Sequence, residues 1–162
     1  MEYISSDTNI WIDFMVLDKL ELPFRLPLKY MMNKDAIQNE LLSPAGMREQ
    51  LLKLGLIEAE LTEEEFYYGL KMAELYPRLS RYDVAALAIA KCRGFVLMTG
   101  DGALRKAAQS EGVSVTGTIG ILDKLLDEEK INLKEYRECL ISLIKENGRE
   151  VRLPLNELQN NR

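Results

Sequence analysis

In Gly94-Phe95-Val96-Leu97-Met98-Thr99-Gly100-Asp101-Gly102, a strand that is apolar until its last residue lies between glycines and runs into a carboxylate. A strand without polar alternation belongs in the middle of a parallel sheet covered on both faces. The segment before it, Ser80 to Arg93, is rich in Ala and Leu and is closed by Gly94, as a helix C-terminus should be. A helix from Gly102 to Glu111 follows it. Helix, buried strand and helix in succession make the α/β class the expectation.

The alternation continues in both directions. Toward the N-terminus, Tyr3 to Ser6 reads as a short strand that stops at Asp7, and Ile10, Trp11, Phe14, Met15 and Leu17 then recur at helical spacing. Pro23 and Pro27 bracket the next connection. Leu28 to Met32 is a second strand, and Asn33 is placed to cap a short helix that ends near Pro44. A helix from about Ala45 to Leu54 closes at Gly55, and Leu56 to Leu61 is either a short strand or an irregular link. Thr62 before Glu63, Glu64 and Glu65 starts a helix by capping and dipole rules, and that helix stops before Pro77. Beyond the central stretch come a strand at Val113 to Thr116 and helices from about Ile119 to Glu129 and from Leu133 to Asn147. This order predicts a three-layer α/β/α sandwich with a mostly parallel central sheet, built from right-handed crossovers. The polar tail from Gly148 to Arg162, with Val151, Leu153, Leu155 and Leu158 as its apolar residues, is either a docking strap or partly disordered.

The length of 162 residues, 47% hydrophobic and 29% charged, fits one ordinary domain. There is no histidine, which excludes Ser-His and Cys-His dyads, imidazole acid/base pairs and His-ligated zinc. A formal charge of -5 argues against an undirected coating of a phosphate backbone, although a local basic rim is compatible with it. Cys92 and Cys139 have no CxxC spacing and read as two reduced, buried thiols. The N-terminus lacks the regions of a signal peptide, and the longest charge-free stretch, Gly112 to Leu122, is only eleven residues. The expectation is a cytoplasmic protein with no membrane span.

Four acids stand in positions that invite chemistry. Ligands of an open parallel sheet bind outside the carboxyl ends of its strands, and Asp7 and Asp101 each end a strand there. Each is also a good helix N-cap. Asp83, in Ser80-Arg81-Tyr82-Asp83, has the spacing of a capping box, yet it shares a stripe with Ala86, Leu87 and Ala90 that should face the sheet. Glu40 leaves its helix on the side of Ala36, Ile37 and Leu41, with snorkelling to water as the plain alternative. Brought together, the four would repel one another and call for a cation, and oxygen ligands without histidine select Mg²⁺ or Mn²⁺. The commonest use of such a pocket is phosphoryl or phosphodiester displacement.

These residues resemble the PIN-domain ribonucleases, a family that includes the VapC toxins of prokaryotic toxin-antitoxin pairs. The matching pieces are Asp7-Thr8-Asn9, Glu40 in Asn39-Glu40-Leu41, Asp83 in Asp83-Val84-Ala85-Ala86-Leu87-Ala88-Ile89-Ala90, and Thr99-Gly100-Asp101. Their order covers roughly residues 4 to 126. Gly117-Thr118-Ile119-Gly120-Ile121-Leu122 also looks like a segment found in some stand-alone prokaryotic PIN proteins. The resemblance implies a PIN-like nuclease domain over residues 1–130, with 131–162 a C-terminal helical extension and tail packed on it. It implies that Asp7, Glu40, Asp83 and Asp101 are catalytic and hold one or two Mg²⁺ or Mn²⁺, and that Thr99 orients the site through its hydroxyl. Asn9 would support the first carboxylate. Many toxins of the family carry a further acid just beyond the T-x-D aspartate, where this chain has Leu104, Arg105 and Lys106.

The activity implied is metal-assisted hydrolysis of RNA phosphodiesters, which needs no histidine acid. Lys34, Arg105 and Lys106 follow the acidic loops closely enough to touch substrate phosphates, or else are solvated helix faces. A toxin would have a small antitoxin as partner, with a basic residue on the carboxylates, and the family implies a homodimer. Two other readings stand beside this one. A PIN-like scaffold could bind metal, RNA or protein without cutting. A haloacid-dehalogenase-like phosphatase would also place an Asp after its first strand, but it wants an acid where Asn9 stands. The helix containing Tyr136, Leu140 and Leu143 reads as core rather than interface.

Overall fold

Side chains of a strand alternate between the two faces of a sheet, so a sheet with both faces covered needs apolar residues on each. A computed structural model describes residues 2–42 and 45–146; the tail expected at 148–162 lies outside them. It shows how the chain meets that demand. The strands are β1 (Glu2–Ser6), β2 (Leu28–Asn33), β3 (Ile57–Ala59), β4 (Val96–Met98) and β5 (Val115–Thr116). They form one sheet in the order β3-β2-β1-β4-β5, and every pairing is parallel. The link at Leu56 to Leu61 thus resolves as a three-residue strand.

The helices are α1 (Thr8–Val16), α2 (Lys34–Glu40), α3 (Met47–Leu54), α4 (Glu63–Leu75), α5 (Arg81–Arg93), α6 (Gly102–Ser110), α7 (Thr118–Asp127) and α8 (Leu133–Glu146). On one face Ile4, Tyr30, Met32 and Met98 pack with residues of α1, α2, α3, α7 and α8. On the other, Leu97 packs with α4, α5 and α6, and Met31 with Ile89 of α5. Ser5 and Ser6 show the same alternation. The Ser5 hydroxyl donates to Ala86 O on α5 (2.8 Å), whereas Ser6 Oγ accepts from the Trp11 indole on α1 (3.2 Å). This is the expected three-layer α/β/α sandwich. Crossovers from β1 to β2 and from β2 to β3 use the α1 face, and those running the other way, to β4 and β5, use the α5 face. A single crossover hand requires that division.

Helix α5 is buried all round from Val84 to Ala90, since it lies on the sheet with α4 packed against it. Its start is set by a capping box at Ser80 and its end by Gly94, at φ 71°. Around the single tryptophan, Trp11, Phe24 and Tyr30 meet at centroid distances of 5.2–5.4 Å. Tyr136, Cys139, Leu140 and Leu143 of α8 are buried in that same core, as their spacing predicts. Helix α2 ends at Glu40, short of Pro44, with Leu41 leaving helical geometry at ψ 49°. Cys92 departs from expectation. It is only half-buried, because it lies near the C-terminus of α5, beyond the fully covered turns.

The strand order reverses about β1, with β2 and β3 on one side of it and β4 and β5 on the other. The crevice between the carboxyl ends of β1 and β4 is therefore the topological switch point, where sheets of this kind bind ligands. Asp7 and Asp101 flank it.

Candidate active site

Asp7 directly follows β1, and its backbone N–H donates to Met98 O at the end of β4 (3.0 Å). Its carboxylate does two jobs. Oδ1 accepts from Thr8 N (2.8 Å), capping α1, and Oδ2 accepts from the Thr99 hydroxyl (2.9 Å). The same Thr99 oxygen accepts from Asp101 N (3.1 Å), so one hydroxyl ties the loops after β1 and β4 together. Asp101 caps α6, with Oδ2 accepting from Leu104 N (2.9 Å). Asp83 completes the α5 capping box, with Oδ2 accepting from Ser80 N (2.9 Å). Glu40, half-buried at the end of α2, is not left to snorkel. Its Oε1 accepts from the Thr8 hydroxyl at 2.5 Å. All three aspartates therefore do cap helices, and the capping and site readings are compatible.

Electrostatics joins them into one group. Asp7 is 4% exposed, and its pKa is pushed up to about 7, first by burial and next by the charge of Asp83, with Glu40 adding; the bonds from Thr99 and Thr8 oppose the rise. Burial likewise raises Asp83, and the charge of Asp101 adds to it against the Ser80 bonds. Repulsion thus runs from Glu40 through Asp7 and Asp83 to Asp101. Among the described residues no ion pair relieves it. Glu65 shows what relief looks like: it is equally buried, and Arg93 grips it at 2.6 and 2.9 Å.

As the side chains stand, no three acids, histidines or cysteines among the described residues are close enough to hold a metal ion together. The chemistry of the donor set nevertheless suits a hard divalent cation, since it is all oxygen and its charge lacks a described counterion. Glu40, Asp83 and Asp101 each commit one oxygen to the bonds above and keep the other, and a carboxylate offers about four lone-pair positions. Convergence needs side-chain rotation about caps that stay made.

The remaining expected residues separate. Thr99 makes the hydroxyl bond expected of it. Asn9 is exposed, and among the described residues no hydrogen bond joins it to Asp7; Thr8 N and Thr99 occupy that supporting place. Arg105 lies beside the site, donating to Thr99 O (3.1 Å). Lys34 faces Glu60 at 3.5 Å, Lys106 is exposed and Leu104 is core. Two features escaped the sequence reading. One is the Thr8 hydroxyl that holds Glu40. The other is Asp13, 3% exposed and bonded by the Thr118 hydroxyl at 2.5 Å. Its signal was an acid three residues after Ile10, inside the apolar stripe of α1. Thr118 comes from the Gly117-to-Leu122 segment, where Gly120 has no room for a side chain: a Cβ would stand 2.5 Å from Thr116 Oγ1.

Comparisons with known proteins agree with this architecture. The family described as DUF3368, a PIN domain, matches residues 3–158. A solved structure of a PilT N-terminus domain protein from the hyperthermophilic archaeon Sulfolobus solfataricus P2 superposes with a TM-score of 0.56 at 14% identity, covering 78% of this chain and 95% of that one. No curated protein matches.

Proposed function

Because the chain belongs to the PIN-domain family, whose fold is of nuclease type, we propose that it is a Mg²⁺- or Mn²⁺-dependent endoribonuclease. The observation that carries the reading is the linked charge of Glu40, Asp7, Asp83 and Asp101 at the switch point of the sheet, with Asp7 buried and without a described cationic partner. Those four side chains would hold the ion. When bound, it would offset phosphodiester charge and make water acidic enough to serve as nucleophile, a role that a chain without histidine has to find elsewhere. The protein's own part is placement. Thr99 fixes Asp7 by its hydroxyl and Asp101 by its backbone, so the carboxyl ends of β1 and β4 keep a set separation. Thr8 donates its N–H to the Asp7 cap and its hydroxyl to Glu40, tying the two carboxylates to the first turn of α1.

Incubating the protein with RNA in Mn²⁺ and in EDTA, beside Asp101→Asn, tests the reading. Cleavage that needs the ion and is lost in the variant is expected, and cleavage indifferent to either overturns it. The same proposal makes this nuclease the cytoplasmic, dimeric toxin of a toxin-antitoxin pair. A small antitoxin would bring a guanidinium to the carboxylates in place of the ion. Among the described residues no helix is long and apolar enough to cross a membrane. Co-expression with the product of an adjacent short reading frame should relieve growth arrest.

One observation favours a second reading, a PIN scaffold that binds without cutting: every acid is engaged in a helix cap or a hydroxyl bond as it stands. Calorimetric binding of Mn²⁺ without cleavage of any RNA would select it. The phosphatase alternative gains nothing from the family match.

A further inference from the structure

Three of the four acids are held by the helices they begin. Asp7 accepts from Thr8 N (2.8 Å), Asp83 from Ser80 N (2.9 Å) and Asp101 from Leu104 N (2.9 Å), each at a helix start. A helix leaves its first backbone N–H groups without partners, so an acid placed there finds donors in its own chain.

Glu40 has no such support. It is the last residue of α2, and a helix end of that kind leaves carbonyls unpaired and disfavours negative charge. The backbone beneath it is fixed, because Ala36, Ile37 and Leu41 are buried and Asn39 Nδ2 donates to Tyr82 OH at the start of α5 (3.0 Å). Its side chain is another matter, since glutamate is among those that give up the most rotamer freedom when held in one place. It is pushed as well. The charge of Glu40 contributes to the raised pKa of Asp7, and like charges that close repel. A half-buried Glu beside an apolar stripe would relieve that repulsion by turning to water.

What opposes this comes from another element. The Thr8 hydroxyl, 32 positions away in the chain, donates to Glu40 Oε1 at 2.5 Å, and it is the hydrogen-bond partner described for that carboxylate. Thr8 is 7% exposed, and its N–H is already committed to Asp7, so the donor is buried next to the charge that repels Glu40. A hydrogen bond to an ionised oxygen is roughly twice as strong as one between neutral groups.

We propose that Thr8 is a positioning residue whose hydroxyl keeps Glu40 beside Asp7 against their mutual repulsion, so that the affinity of the acids for a divalent cation depends on residue 8. The bond engages Oε1 and leaves Oε2 for the ion. The inference rests on the ion-dependent reading above and names what holds one of its ligands.

The probe is Mn²⁺ alone, titrated by calorimetry into the full chain without RNA. Thr8→Val keeps the shape of the side chain and the N–H that bonds Asp7, and removes only the hydroxyl. Groups that orient an ion's ligands change its affinity by about 10–100-fold, so Thr8→Val should weaken Mn²⁺ binding at least tenfold. Thr8→Ser, which retains a hydroxyl, should bind as the wild type does. In a Glu40→Ala background, Thr8→Val should have no further effect. Urea unfolding in EDTA reads stability separately. A Thr8→Val protein that is less stable but has an unchanged Kd for Mn²⁺ overturns the proposal, because residue 8 would then be merely structural. Failure of Thr8→Ser to recover binding overturns it too, as does a Thr8→Val effect that persists without Glu40. Should Thr8→Val not fold, Thr8→Ala carries the same comparison. Wild-type protein that binds no Mn²⁺ overturns this inference together with the ion-dependent reading. Mn²⁺ binding that depends on Thr8, without cleavage of RNA, removes the nuclease reading alone; ion-dependent cleavage with a Kd indifferent to residue 8 removes this inference alone.

Discussion

Replacing Asp13 by Asn separates the cost of a buried charge from the value of a buried hydrogen bond. Asp13 is 3% exposed, and its only described partner is the Thr118 hydroxyl. Burial pushes its pKa from an ordinary 3.8 up to about 7, against the lowering effect of Thr118. Between those values the native state holds a proton that the unfolded chain has released, so stability falls as pH rises through the window. At about 1.4 kcal/mol per pH unit, the ionised form costs the fold about 4 kcal/mol at pH 8 and about 1 kcal/mol at pH 4.5. Asn carries no charge and still accepts from Thr118, but it brings a buried N–H₂ whose missing partner costs about 1–3 kcal/mol at any pH. Asp13→Asn should therefore be more stable than the wild type at pH 8 by about 1–3 kcal/mol, and equal or less stable at pH 4.5. The difference between the two pH values, about 3 kcal/mol, is free of the amide cost. Urea unfolding in EDTA, followed by the single buried Trp11, measures it. A ΔΔG that moves by less than about 1 kcal/mol between the two pH values would refute the reasoning.

Three further outcomes follow from the same structure. Glu65 is 1% exposed; burial pushes its pKa up, but the Arg93 hydrogen bond and the Thr62 N–H hold it below the ordinary value. Arg93→Met strands that charge and should lower stability by about 3–5 kcal/mol at pH 7, with the loss shrinking as acid protonates Glu65; urea midpoints across pH will show it. Gly94 at φ 71° has open space around its Cβ position, so Gly94→Ala should cost only the backbone term, about 1 kcal/mol, read as a lower melting temperature. Mn²⁺ at 100 times its Kd should stabilise the wild type by about 2.7 kcal/mol in thermal melts, whereas Asp7→Asn should show little or no such gain.

Local rules account for much of what was legible in the sequence. Apolar runs and periodicity marked the elements, and Thr62, Ser80, Gly55 and Gly94 marked helix ends, since caps depend on neighbours within one turn. The four acids were visible one at a time, each beside a strand end or inside an apolar stripe. Asn9, which the resemblance places in support of Asp7, lies on the exposed side of α1, and among the described residues Thr8 and Thr99 make the bonds to that carboxylate. Asp13 was missed because its partner lies 105 residues away.

By itself, then, the sequence determined the class of the fold, the helix boundaries set by caps, the absence of imidazole chemistry and the list of candidate acids. Only the tertiary structure decided that β4 pairs with β1, which brings Asp101 to Asp7 and lets one Thr99 hydroxyl serve both. Only it decided that Asp7 is buried and set against the charges of Asp83 and Glu40. The physical reason is range. Propensity and capping act over a turn of chain, whereas burial and like-charge repulsion depend on which distant segments the sheet order sets side by side.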